Sequence, residues 1–209
     1  MKKDLTEIVM VIDCSGSMLL IKKDAEGGIN SFIEEHRKDG DVIFTLCQFN
    51  GSYEFVYDGV PIQEVGPYTM HTEGLTALLD ALGNSIDRTG NRLAIMSEED
   101  RPGLVIFVIV TDGLENASKE YTLEQIKKKI DHQTSMYNWQ FVYLGANQDA
   151  FAVAKGLGAQ SAGEFSMGQM RDAYQATTRS TKRMKRASAG GQSIVNRFTK
   201  EELDKMSGT

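Results

Sequence analysis

Asp13, Ser15 and Ser17, in the stretch "VIDCSGSM" (residues 11–18), place three oxygen-bearing side chains at alternate positions where an apolar run ends. Only Cys14 and Gly16 separate them. A second acid, Asp112, closes another apolar run in "GLVIFVIVTDG" (103–113). If the two runs are neighbouring strands, both carboxylates converge on one spot, and leaving them close together without a partner is costly. A cation is the natural partner. In an extended loop Ser15 and Ser17 point to the same side, with Gly16 permitting a sharp turn. Hydroxyl and carboxylate oxygens are hard ligands suited to Mg²⁺, Mn²⁺ or Ca²⁺. No His or Cys cluster has zinc-like spacing, so zinc is set aside. Ser17 taken alone would also serve as a helix N-cap, a reading that leaves Asp112 unexplained.

The elements that must position these groups follow from the hydrophobic pattern. "EIVMVID" (7–13) is apolar on both parities, as expected of a strand buried on both faces. An amphipathic helix is expected over 18–38. Strands are expected at 42–50 and 53–59, joined so tightly at Gly51-Ser52 that they should form an antiparallel hairpin. A helix over 76–96 leads to the strand at 103–113. Thr122 with Gln125 three residues later marks the start of a helix over 122–133. A strand at 139–146, a helix at 149–158 closed by glycine, an edge strand at 163–166 and a helix over 167–187 complete the order. Strands alternating with helices predict an α/β fold: a doubly wound, mostly parallel open sheet with one antiparallel edge strand and helices on both faces. In such sheets ligands bind at the carboxyl ends of the strands, near the point where strand order reverses. The organisation expected is a domain over 1–166, a basic helix over 167–187 packed on it or extending from it, and a flexible tail over 188–209.

"DCSGS" (13–17), the threonine of "GLTALLDAL" (74–82) and "TDG" (111–113) together resemble the von Willebrand factor type A domain with its metal-ion-dependent adhesion site. The resemblance covers roughly residues 6 to 165 and implies a Rossmann-like sheet. It maps the metal site onto Asp13, Ser15, Ser17, Thr76 and Asp112. Many relatives carry two glycines before the threonine where this chain has Gly74-Leu75, so Thr72 stands as the alternative to Thr76. The function implied is divalent-metal-dependent protein binding, in which an Asp or Glu of the partner completes the coordination of Mg²⁺ (or Mn²⁺ or Ca²⁺). It also implies an adaptor of the small intracellular type found in bacteria or phage.

Other residues mark the limits of that reading. Asn116 and Ser118 in "DGLENAS", and His71 in "YTMHTEG", belong to loops at the same edge and are candidates for the ligand-facing surface. Residues 1–170 hold 14 Lys and Arg against 25 Asp and Glu, whereas residues 171–200 hold 8 against 1. Arg179, Lys182, Arg183, Lys185 and Arg186, in "RSTKRMKR", therefore make nucleic acid or an acidic partner the alternative ligand. Met167, Met170, Tyr174, Thr177, Thr181 and Met184 form a packing stripe on the same segment, with most of the bases off it. Enzyme chemistry is not expected. Phosphatases of the haloacid dehalogenase type use Asp-x-Asp, and Ser15 takes the place of the second acid. There is no G-x-G-x-x-G after the first strand. His36, His71 and His132 have no catalytic motif around them. Cys14 and Cys47 sit in or beside strand-like segments, as buried thiols do. With no run long enough to span a membrane, a soluble cytoplasmic protein is the default expectation.

Overall fold

The computed structural model describes residues 1–146 and 149–208. In chain order its elements are β1 (Lys2–Asp13), α1 (Lys22–Arg37), β2 (Val42–Phe49), β3 (Tyr53–Pro61), α2 (Leu78–Ile95), β4 (Pro102–Thr111) and α3 (Leu123–Tyr137). They continue with β5 (Gln140–Ala146), α4 (Ala150–Leu157), β6 (Ser161–Phe165), α5 (Met170–Ala189) and α6 (Lys200–Ser207). The six strands form one sheet in the order β3-β2-β1-β4-β5-β6. Every neighbouring pair is parallel except the β2–β3 hairpin at the edge. This is the doubly wound α/β sheet expected from the pattern.

Strand β1 shows why the sheet is covered on both sides. Ile8, Met10 and Ile12 join one buried cluster with residues of α1, α5 and α6. Val9 and Val11 join the other, with residues of α2, α3 and α4. Side chains alternate across a strand, so a run apolar at every position needs a packed layer on each face. Local signals act as expected at α3. The Thr122 hydroxyl accepts from the Gln125 amide, and the Gln125 side chain accepts from the Thr122 amide (2.8 Å), a reciprocal capping box. Among the described residues no helix is long and apolar enough to cross a membrane.

The structure differs from expectation in two places. The helix expected from residue 18 starts later: a 3-10 turn over Gly16–Leu20 comes first, and α1 begins at Lys22. The segment expected as a flexible tail contains α6, opened by a second capping box between Thr199 and Glu202. Met206 and Phe198 are buried, and the Ser166 amide donates to the Met206 carbonyl (3.1 Å) beside β6. Thr209 lies outside the described residues. The helix docks because its buried acid, Glu202, receives Arg183 (2.7 and 2.9 Å) and Arg179 (3.3 Å) from α5. Apolar counts alone underrate such a segment.

Helix α5 packs along α1, with Met170, Tyr174, Thr177, Thr181 and Met184 buried as the stripe requires. Met167 lies in the preceding turn and stays partly exposed. The crossing is close at Gly28, where a Cβ would stand 2.2 Å from the Tyr174 ring. The basic face of α5 is largely spent inside the molecule. Besides the two arginines on Glu202, Lys182 pairs with Glu35 (3.0 Å) and the buried Lys185 donates to the Asp39 carbonyl. Arg186 faces solvent.

Candidate metal centre

β1 and β4 are adjacent, with Ile12 opposite Val110, and strand order reverses between them. Asp13 ends β1, and Asp112 stands one residue beyond the end of β4. The two acids therefore meet at the crevice where open α/β sheets bind ligands. Asp13 is fully buried. Its Oδ1 accepts the Ser15 amide (2.7 Å), and its Oδ2 accepts the Thr111 hydroxyl. The Ser15 and Ser17 hydroxyl oxygens lie 3.0 Å apart, and Ser17 donates to Asp112 Oδ1 (2.6 Å). Ser17 is thus turned to the acid and not to the helix start. Ser15, at the N-cap of the 3-10 turn, makes no side-chain cap bond.

The loop that carries Thr76 is pinned by its backbone to the loop after β1 and to the β2–β3 turn. The Gly16 amide donates to the Gly74 carbonyl (3.2 Å), the Glu73 amide to the Cys14 carbonyl (2.9 Å) and the Ala77 amide to the Asn50 carbonyl (2.6 Å). Asn116 clamps Thr76 from the far side. Its Oδ1 accepts the Thr76 amide (2.9 Å), and its own amide donates to the Thr76 carbonyl (3.0 Å).

Gly113 locates the point of convergence. A Cβ built there would lie 3.1 Å from Thr76 Oγ1, and 3.6 Å from both Asp13 Oδ2 and Ser17 Oγ. Oxygens of Asp13, Ser17 and Thr76 therefore border one small space, which glycine keeps clear, and the Ser17–Asp112 hydrogen bond brings the second acid next to them. Of the two threonines, Thr76 is the one whose hydroxyl is found bordering that space, 3.1 Å from the Gly113 Cβ position. Asp112 Oδ2 is buried without a hydrogen-bond partner among the described residues. Burial pushes the Asp13 carboxyl above its usual range against the hydrogen bonds of Thr111 and Ser15, and the nearby Asp112 adds to the rise. Burial raises Asp112 in the same way, opposed by Ser17. Among the described residues no positive side chain offsets either acid. Among the described residues no three His, Cys, Asp or Glu side chains gather at one place. An ion at this edge would thus be held by two carboxylates and hydroxyls, and the orphaned Asp112 oxygen fits that role.

The flanking candidates divide. Asn116 positions Thr76. The Ser118 hydroxyl accepts the Asp80 amide at the start of α2 (3.1 Å) and donates to Glu115 (2.8 Å), so it ties the loop to the helix. His71 is solvent-exposed in the loop before Thr76. Sequence reasoning missed Thr111, although it adjoins Asp112 in "TDG". It also missed Asp80, whose carboxylate accepts the Lys119, Glu120 and Tyr121 amides (2.7, 2.9 and 3.0 Å) and anchors the loop from within α2. No sequence signal distinguishes that acid from a surface one. Cys14 and Cys47 are buried, and burial pushes their thiols up to about 11 and about 12. Both are inert as nucleophiles.

No protein-family model matches this sequence, and no curated protein sequence matches it. Solved structures do. A von Willebrand factor type A protein from Catenulispora acidiphila matches at TM-score 0.59 and 14% identity, over 85% of this chain and 43% of that one. Proximal thread matrix protein 1 from the mussel byssus, solved with a zinc-occupied MIDAS motif (the metal-ion-dependent adhesion site), matches at 0.57 and 15%, over 85% and 46%. The vWF domain of the type V pili tip protein from Porphyromonas gingivalis matches at 0.60 and 11%, over 84% and 94%. The chain spans less than half the length of the first two. Sheet order, the crevice at the β1–β4 boundary and these matches together show that the chain has the von Willebrand factor type A fold.

Proposed function

We propose that the chain is a protein-binding module whose grip depends on a divalent cation. Asp13, Ser15, Ser17, Thr76 and Asp112 would hold the ion. Mg²⁺ is the first choice, and Mn²⁺ or Ca²⁺ are alternatives. The zinc in the byssus protein's motif returns zinc to the ions worth testing. Once bound, the ion supplies a positive centre that attracts oxygen anions, because three of its five protein ligands are neutral hydroxyls. An Asp or Glu of the partner would complete its coordination. Affinity without a partner would be weak, on the order of 10⁻⁴ to 10⁻³ M. Ion and partner would then reinforce each other's binding.

The observation that carries this reading is Asp112 Oδ2, buried and without a partner among the described residues, on a carboxylate that accepts Ser17 at the edge of a space bordered by oxygens of Asp13, Ser17 and Thr76. An unpaired buried carboxylate oxygen is costly, and a cation removes that cost. The adhesive and pilus-tip character of the neighbours supports protein binding over catalysis. Nucleic acid is the weaker reading, because four of the five bases in 179–186 already bind groups of this chain. The cytoplasmic setting is kept as part of the proposal, and two buried free thiols accord with it. The test is affinity capture of interacting proteins in Mg²⁺ against EDTA. The expected result is a partner retained only with the ion and absent from the Asp13→Ala variant. A partner held equally in EDTA would contradict the proposal.

A further inference from the structure

The three loops that carry the candidate ligands also hold four leucines out in solvent. Leu19 and Leu20 follow Ser17, Leu75 precedes Thr76, and Leu114 follows Gly113; they are 64%, 80%, 58% and 66% exposed. Loose packing does not explain them. Met18, between Ser17 and Leu19, is wholly buried, and so is Ala77, two residues past Leu75. The loops are tied together by the Gly16–Gly74 backbone bond and the Ser17–Asp112 hydrogen bond, so the leucines ride on one frame. Single exposed leucines are ordinary on a protein surface. Four on loops tied together at one polar centre leave apolar surface there that a partner can cover.

Charge narrows the occupant. Residues 1–170 carry a clear excess of acid, and Glu73 stands exposed in the same loop as Leu75. A run of acids on the partner would be repelled by this face. A lone acid set among apolar residues would gain both the ion and the leucines. We infer that the partner segment presents a single Asp or Glu flanked on both sides by large apolar side chains, which Leu19, Leu20, Leu75 and Leu114 receive. This inference rests on the metal reading above.

The probes are three synthetic peptides of equal length, centred on Leu-Glu-Leu, Ser-Glu-Ser and Glu-Glu-Glu. Fluorescence anisotropy measures their binding to the full chain in excess Mn²⁺, and electron paramagnetic resonance measures ion uptake on the same samples. The apolar-flanked peptide is expected to bind about ten-fold tighter than the serine-flanked one, equivalent to about 1.4 kcal/mol. That advantage should fall to about two-fold or less in Leu75→Ser/Leu114→Ser, with Mn²⁺ uptake unchanged. Normal uptake with no flank preference, with no peptide bound, or with Glu-Glu-Glu preferred overturns the leucine contact and leaves the metal site standing. Absence of Mn²⁺ uptake overturns the metal reading, and this inference with it.

Discussion

Strand β1 carries one buried acid at its middle, Glu7, and another at its carboxyl end, Asp13, and the chain treats the two differently. Glu7 is fully buried and receives the Arg92 guanidinium through both carboxylate oxygens. Asp13, on the same strand, receives one hydroxyl and one amide, and its neighbour Asp112 receives one hydroxyl. The α5–α6 seam repeats the first solution. Burial works to raise Glu202, but Arg183, the Thr199 amide and Arg179 outweigh it and hold the carboxyl below its usual range. The fold thus gives the buried structural acids Glu7 and Glu202 an internal cation and gives Asp80 three backbone amides. Among the described residues Asp13 and Asp112 receive no cation and fewer donors than Asp80, which is the arrangement expected if the cation comes from solution.

The largest effect should come from unpairing the structural acid. Arg92→Met strands Glu7 and is expected to cost about 3 kcal/mol in urea unfolding. A loss near zero would mean that Glu7 is already neutral and the contrast with Asp13 is false. Next is His36, buried in the α1–α5 seam, with Nε2 2.8 Å from the Thr181 hydroxyl. Burial, then Lys185 and Lys182, push it down to about 3, against a small opposing pull from Glu35. Below its unfolded value of about 6.5 the unfolded chain takes a proton that the folded chain refuses until about pH 3. Stability present above pH 6.5 is therefore lost as pH falls through that window. The loss is about 2 kcal/mol by pH 5. It should vanish from the pH–stability curve of His36→Gln. Glu202→Gln, whose arginine partners are partly exposed, should cost about 1 kcal/mol and loosen α6 first, as hydrogen exchange would register. The smallest effect is predicted for the site itself. Without metal, Asp112→Asn should stay within about 0.5 kcal/mol of the parent, because it removes a charge with no countercharge. A large loss would show that Asp112 is structural after all.

Much of this was legible in the sequence because the relevant signals are local. Runs apolar on both parities predicted β1 and β4, and an acid at the end of each run predicted that Asp13 and Asp112 would meet at one edge of the sheet. The packing stripe of α5 was legible for the same reason. What local pattern could not supply was the partner of each polar group. The bases of 179–186 look free in sequence, yet Glu202 and Glu35 claim three of them. Residues 188–209 looked unstructured because their few apolar side chains, Phe198 and Met206 among them, pack on residues distant in the chain. The Thr199-x-x-Glu202 box was a readable start signal there. Thr76 was separated from Thr72 only once the Asn116 clamp and the Gly113 contact fixed which hydroxyl faces the acids. Asp80 and Thr111 act through backbone amides and a neighbouring carboxylate, and spacing does not encode such bonds.

Titrating Mn²⁺ into the parent chain and into Asp13→Ala, with bound ion counted by electron paramagnetic resonance, shows whether the two acids hold an ion. One saturable ion per parent chain is expected, and none in the variant, whose circular dichroism should stay native. The parent should also be stabilised by about 2.7 kcal/mol at one hundred times the dissociation constant. No uptake by the parent, or equal uptake by the variant, would contradict a metal site there.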